Sequence, residues 1–231
     1  LDYFRTAPEY RSENYHKLTF SMMYYYNDRF LLPLSHDETV HGKATILQKM
    51  NGEYEEKFPQ ERARYRYMYE HPGKKLNFMG SEIGQLREWD EKKEQDWFLL
   101  KYPNHDSFQR FMKDLNMLYL EHPALSSGDY DQNGFEWLDC HQEARCIYAF
   151  ERRDDAERIA AVFNFSDKLQ EDFELTVPKG KELHLLLASD RDIYGGTKQY
   201  KEVKETVRKL KKETISLTLS PYSAVYFRIS E

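Results

Sequence analysis

LLPLSHDETVHGK, residues 31–43, opens as an apolar run of strand type and breaks off into Ser35, His36, Asp37 and Glu38. Side chains that ionise or hydrogen-bond are costly to bury without partners. Four of them at a strand's carboxyl end mark either a solvated turn or a working site. The short apolar run itself reads as a strand buried on both faces of a parallel sheet, although Pro33 removes one ladder donor. Spacing argues against a metal site: His36 and His41 are five residues apart, about 500° of helix turn. A zinc-protease helix needs His-Glu-x-x-His on one face. Ser35 adjoins His36 but lacks the glycine elbow of a nucleophilic serine. In barrels built of βα units, side chains at the carboxyl ends of strands point into the active-site mouth. There a His-Asp pair offers a donor and an acceptor to sugar hydroxyls; the competing reading makes His36 and Asp37 caps of the following turn.

Outward from this stretch, residues 1–125 alternate helix with strand. Residues 16–27, HKLTFSMMYYYN, are long enough for an aromatic-rich helix despite Thr19 and the tyrosine run. PQERARYRYMYEH predicts a helix starting near Pro59 and ended by Pro72-Gly73. KLNFMGSEIGQ predicts a second buried strand, Leu76 to Met79, opening into a glycine-containing loop. Residues 105–121 form the clearest amphipathic helix, with Phe108, Phe111, Met112, Leu115, Leu118 and Tyr119 recurring every three or four positions. Beyond residue 126 the pattern changes. GFEWLDC, CIYAFERR, RIAAVFNFS, DFELTVP, ELHLLLAS, TISLTLS and SAVYFRIS are seven short runs separated by turn or charged stretches. Such spacing predicts an antiparallel sandwich or barrel over residues 126–231. The charged stretch KQYKEVKETVRKLKKE, residues 198–213, reads as a solvated loop or exposed edge.

Composition narrows the classes. The 231 residues suffice for one large domain or two ordinary ones, and 40% apolar content with 15% aromatics builds a core. A net charge of −6 gives no basic field to recruit nucleic acid. No stretch approaches the roughly 20 apolar residues of a membrane span, and no signal peptide is visible. Cys140 and Cys146 have no zinc or redox spacing; reduced thiols and a cytoplasmic location are expected. The chain starts at Leu1 in a polar-aromatic stretch, a hint that the beginning is missing.

Five segments in order, LPLSHDETVHGK, YMYEHPGKKLNFMGSEIGQLREWD, DWFLL, RFMKDLNMLYLEHPAL and GFEWLD, resemble the carboxyl-terminal part of bacterial-type glycogen (1,4-α-glucan) branching enzymes of the α-amylase superfamily. The resemblance runs from about Leu18 through Asp139 and continues more weakly into the β-rich end. It implies an α/β part followed by an all-β part: the last βα units of a (β/α)8 barrel, incomplete here, in residues 1–125, and a carboxyl-terminal antiparallel sandwich in residues 126–231. By this likeness SHDE ends the seventh barrel strand, and FMGSEIGQ matches the eighth strand and its loop. Asp37 then takes the place of the transition-state-stabilising carboxylate, and His36 that of the histidine on the donor-subsite sugar. Thr39 and Ile83 stand where most relatives carry Val and Phe, mild departures that leave those roles intact. The expected partners are an α-1,4-glucan or glycogen and the missing amino-terminal part of the polypeptide, with no cofactor.

Further positions follow from the same likeness. Glu38 and His41, just past the motif, line the donor cleft or else fix the loop. Lys43 is a surface lysine before it is a sugar contact. Glu82 is expected to hold its loop by hydrogen bonds, while Gln85 sits at the mouth and Trp89 is a sugar-stacking platform or core packing. Trp97 and Trp137 are expected to bridge barrel and sandwich. The nucleophile and acid/base, expected at the fourth and fifth strands, match no segment here. Two strand candidates in about 125 residues also fall short of a barrel that takes about 250. The chain alone is therefore expected to be inactive. The alternatives are an α-glucan hydrolase or debranching relative, and a non-catalytic β-domain that binds glucan or braces a barrel.

Overall fold

The computed structural model describes residues 1–177, 182–197, 208–209 and 214–230. The first part carries short helices α1 (Asp2–Arg5) and α2 (His16–Thr19), strand β1 (Leu31–Leu34), helix α3 (Tyr54–Glu70), strand β2 (Lys74–Asn77) and helix α4 (Pro103–Glu121). Strands β3 (Phe135–Gln142), β4 (Ile147–Arg153), β5 (Arg158–Asn164), β6 (Gln170–Thr176), β7 (Glu182–Ala188), β8 (Arg208–Lys209), β9 (Thr214–Leu219) and β10 (Ser223–Ser230) follow. All seven β-runs read from the sequence are strands. β8 falls within the charged stretch and, among the described residues, pairs with β7 at the end of its sheet; the rest of residues 198–213 lies outside the described residues.

β1 and β2 pair in parallel, Leu31 with Lys74 through Leu34 with Asn77. This strand pair is not buried on both faces as the apolar runs suggested. Leu34 and Leu32 pack on the core from one face, while on the other face Leu31 is 58% and Leu76 43% exposed; among the described residues the sheet has two strands. Pro33 is tolerated where only one neighbouring strand needs hydrogen bonds. β2 also ends two residues earlier than the sequence reading placed it, leaving Phe78 and Met79 to the loop. Residues 16–27 do not form one helix: after Thr19 the chain tightens into separate 3-10 turns at Phe20–Met23 and Tyr25–Asn27, broken at Tyr24. Helix α3 begins before Pro59, because a reciprocal capping box between Glu53 and Glu56 starts it at Tyr54.

The second part is a sandwich. One sheet runs β3-β4-β5-β10-β7-β8 and the other pairs β6 with β9, each contact antiparallel. β6 and β9 alternate as amphipathic strands should, sending Phe173, Leu175, Ile215, Leu217 and Leu219 inward. They meet Ile147, Ala149, Val162, Val225 and Phe227 on one face of the large sheet. Its other face, with Tyr148, Phe150, Ala161, Phe163 and Tyr226, packs on Tyr3, Phe4, Tyr65 and Phe108 of the first part. Burial on both faces explains why β4, β5 and β10 read as nearly unbroken apolar runs.

Guanidinium groups join the two parts. Arg62 Nε donates to the Ser189 carbonyl at 2.9 Å and Arg66 Nη2 to that of Leu187 at 3.2 Å, both from α3. Arg152, fully buried on β4, donates to the carbonyls of Glu70 (2.7 Å) and Gly134 (3.0 Å) and to Asp129 Oδ1 (3.0 Å). Gly128 and Gly134 cross so closely that a Cβ on Gly134 would stand 2.3 Å from the Gly128 carbonyl oxygen. Trp137 packs on Phe135 and Phe150 within the sandwich. Trp97, expected to bridge the two parts, stands nearly half exposed on the 3-10 turn Trp97–Lys101.

Candidate active site

The parallel strands β1 and β2 end side by side, so Ser35–Glu38 and the loop from Phe78 emerge together at their carboxyl ends. The Phe78 N–H continues the ladder to the Leu34 carbonyl at 3.0 Å. Ser35 Oγ then accepts from the Asp37 N–H at 3.2 Å and caps a 3-10 turn, His36–Glu38. Asp37 lies inside this turn, so the capping role that competed for it in the sequence belongs to Ser35. The turn leaves the two motif side chains in solvent, His36 52% and Asp37 71% exposed, with His36 Nε2 at 3.4 Å from Asp37 Oδ1. Phe78 and Trp89 back the imidazole, their rings centred 5.8 and 5.9 Å from it and 5.2 Å from each other. The result is an acceptor carboxylate and an imidazole on an aromatic wall, open to a ligand rich in hydroxyls.

Other expected residues have different work. Glu38 holds the turn: buried Lys49 donates to its carbonyl and lies 3.2 Å from its Oε2. Gln85 is only 5% exposed and spans its own loop, donating from Nε2 to the Arg87 carbonyl (2.9 Å) and accepting the Asp96 N–H (3.0 Å). It therefore shapes the mouth without reaching into it. His41 is exposed on the first loop, in left-handed backbone (φ 59°). Lys43 donates to the Asp37 carbonyl at 2.8 Å. Glu82 lies away from the mouth, in a groove with Asp106, Gln109 and Lys113 of α4.

The sequence reading missed Glu88. Its carboxylate accepts the N–H groups of Gly42 (2.9 Å) and Ala44 (2.7 Å), and these two bonds hold it below the usual carboxylate range. The adjacent Trp89 N–H donates to the Thr39 carbonyl at 3.0 Å. His41 and Ala44 both sit at positive φ, each at about 1–3 kcal/mol, and these cross-loop bonds help offset that. Arg87 closes the second loop through Asp96 Oδ1 at 2.9 Å. The loops meet so tightly that only about 10 Å³ remains between them. Among the described residues no group of three or more His, Cys, Asp or Glu could hold a metal ion. No described helix is long and apolar enough to cross a membrane.

Residues 137–230 match the α-amylase C-terminal all-β domain family. The 1,4-α-glucan branching enzyme of Aquifex aeolicus is 42% identical over 234 residues, covering 99% of this chain and 37% of that protein. Those of Shewanella baltica and Nitrosococcus oceani are 45% and 43% identical, over 86% and 85% of this chain. The chain belongs to the branching-enzyme family. It spans little more than a third of the Aquifex protein and about a quarter of the other two. Among solved structures, an Anoxybacillus α-amylase superposes with a TM-score of 0.52 over 85% of this chain and 36% of its own, at 16% identity. The Geobacillus thermoleovorans α-amylase gives 0.51 over 75% and 34%, also at 16% identity. These two likenesses speak for the fold alone: part of a barrel followed by an all-β domain.

Proposed function

We propose that this chain works as the carboxyl-terminal part of a 1,4-α-glucan branching enzyme, acting on α-1,4-glucan or glycogen in the cytoplasm. Residues 1–125 are the last βα units of its barrel and residues 126–231 its sandwich. The observation that carries the reading is the solvent-facing His36–Asp37 pair on its aromatic wall, at the carboxyl end of a parallel strand. It occurs in a chain whose relatives named branching enzymes are over 40% identical.

A retaining double displacement needs a nucleophile and an acid/base carboxyl about 5 to 5.5 Å apart, supplied by the preceding part of the polypeptide. Asp37 is the third carboxylate. It accepts from the ring hydroxyls of the sugar being cleaved, and these bonds strengthen as positive charge develops in the flattened ring. His36 donates to the same sugar, held against Phe78 and Trp89. Trp89 and His41 border the cleft, whereas Glu38 and Gln85 hold its walls. The transferred chain then leaves the enzyme for a 6-hydroxyl.

The test uses a complete branching enzyme containing this sequence. With amylose, iodine absorbance should fall while few reducing ends appear; abundant reducing ends would make the enzyme a hydrolase. Asp37→Asn should lower kcat by about a hundredfold or more with the melting temperature little changed. A loss below about tenfold would remove Asp37 from the role.

A further inference from the structure

Glu88 lies on the loop after β2, yet its two strongest contacts are on the loop after β1. Its carboxylate takes the N–H groups of Gly42 and Ala44 at 2.9 and 2.7 Å. Between those residues stands Lys43, whose ammonium reaches back to the Asp37 carbonyl at 2.8 Å. His41, Gly42 and Ala44 all adopt left-handed backbone, and the loop's own turn bond here, from the Lys43 N–H to the Val40 carbonyl, is long at 3.3 Å. A carboxylate that satisfies two such amides fixes where the intervening side chain starts. The Arg87–Asp96 pair and the two Gln85 bonds in turn hold the loop bearing Glu88.

We infer that Glu88 is a positioning residue for Asp37: it clamps residues 42–44 so that Lys43 fixes the Asp37 backbone, and with it the direction of the carboxylate. The inference rests on Asp37 being the stabilising carboxylate. It predicts that Glu88 and Lys43 act through one chain of contacts, so that losing both is no worse than losing either. A displacement of about 1 Å at a reacting centre lowers turnover up to about a hundredfold. The expected effect is therefore on kcat, with binding of the long glucan largely kept.

Four forms of a complete branching enzyme containing this sequence are compared on amylose: the parent, Glu88→Gln, Lys43→Met and the double variant, with Asp37→Asn alongside. Each single change should lower kcat about ten- to a hundredfold while KM moves less than about twofold, and the double variant should match the worse single one. Hydrogen exchange at the Gly42 and Ala44 amides should accelerate in Glu88→Gln and stay slow in Lys43→Met. Additive losses, unchanged amide exchange in Glu88→Gln, or turnover within about twofold of the parent would each overturn the inference. If those results come with an inactive Asp37→Asn, the role of Asp37 stands and only the clamp is lost. Full activity in Asp37→Asn would remove the reading and the inference together.

Discussion

At the scale of single residues, position and chemical type do different amounts of work. For Asp37 and His36 the sequence alone left a turn cap and a working site open, and the resemblance singled them out; the structure gives the cap to Ser35 and leaves both side chains in solvent. Lys49 and Glu88 were not legible, since a lone lysine or glutamate in a polar stretch reads as solvated surface. Only the fold shows that one is buried under the Glu38 turn and the other bridges two loops. His71 is a further case. It is buried, with Nε2 at 2.9 Å from Ser21 Oγ and Nδ1 at 2.8 Å from the Pro72 carbonyl, and burial lowers its pKa to about 4. The unfolded chain thus takes up a proton near pH 6.5, well before the folded one does. Stability from this residue is complete above pH 6.5 and drains away as pH falls toward 4, about 3 kcal/mol in all. In urea titrations, the stability gap between the parent and His71→Gln should therefore narrow by about that much between pH 7 and pH 4. A constant gap would show that His71 does not titrate with unfolding.

At the scale of elements, helix α3 departs most from what its sequence suggests. QERARYRYMYE has the composition of a solvated helix, yet Gln60, Glu61, Arg62, Arg64, Arg66 and Glu70 are all buried. Arg64 pairs with Glu61 at 2.8 Å, and Arg62 and Arg66 donate to sheet carbonyls. Hydrophobic periodicity cannot register a helix buried through such partners, whereas α4, with its apolar stripe, was readable almost to its ends. Arg152→Met should cost about 3 kcal/mol, because it takes the donor from the buried Gly134 and Glu70 carbonyls and leaves the Asp129 carboxylate with the half-exposed Lys74 in place of a fully buried partner. Measured as a drop in melting temperature, that loss should exceed the effect of Arg110→Met, which breaks an exposed helix pair. Glu70 behaves in the opposite way. Neither carboxylate oxygen makes a well-formed hydrogen bond with a described residue, and desolvation raises its pKa well above the usual value despite Arg66 and Arg152 nearby. Folding favours its protonated form, so its contribution is complete below about pH 4.5 and falls as pH rises. Glu70→Gln should therefore stabilise the protein at pH 8 relative to pH 5, with denaturant midpoints as the measure. Gly134→Ala, by contrast, meets the Gly128 carbonyl and should lower the melting temperature at every pH.

At the scale of the whole molecule, the sandwich buries apolar side chains between its sheets, whereas the barrel end leaves apolar side chains in solvent. The seven sequence runs sufficed for the sandwich because each strand is short and bounded by turns. Their pairing order was beyond reach, since β10 lies between β5 and β7 through contacts distant in sequence. The barrel end exposes Leu31, Leu76 and Met79 and has a groove of about 610 Å³ between the amino-terminal turns and β1, walled by Leu18, Tyr24, Phe30 and Pro33. With such surface uncovered, the 231-residue chain should show no branching of amylose and should elute larger than a monomer in size-exclusion chromatography. A branching signal from this chain alone would mean that its own carboxylates complete the reaction. The arginine bonds from α3 to Ser189 and Leu187 bear on protein engineering. A chimaera joining this barrel end to a relative's sandwich would have to present two backbone oxygens at matching heights, or bring its own copy of the helix across the splice. A seam placed where the composition changes, near residue 125, would otherwise strand two cations in a dry crevice.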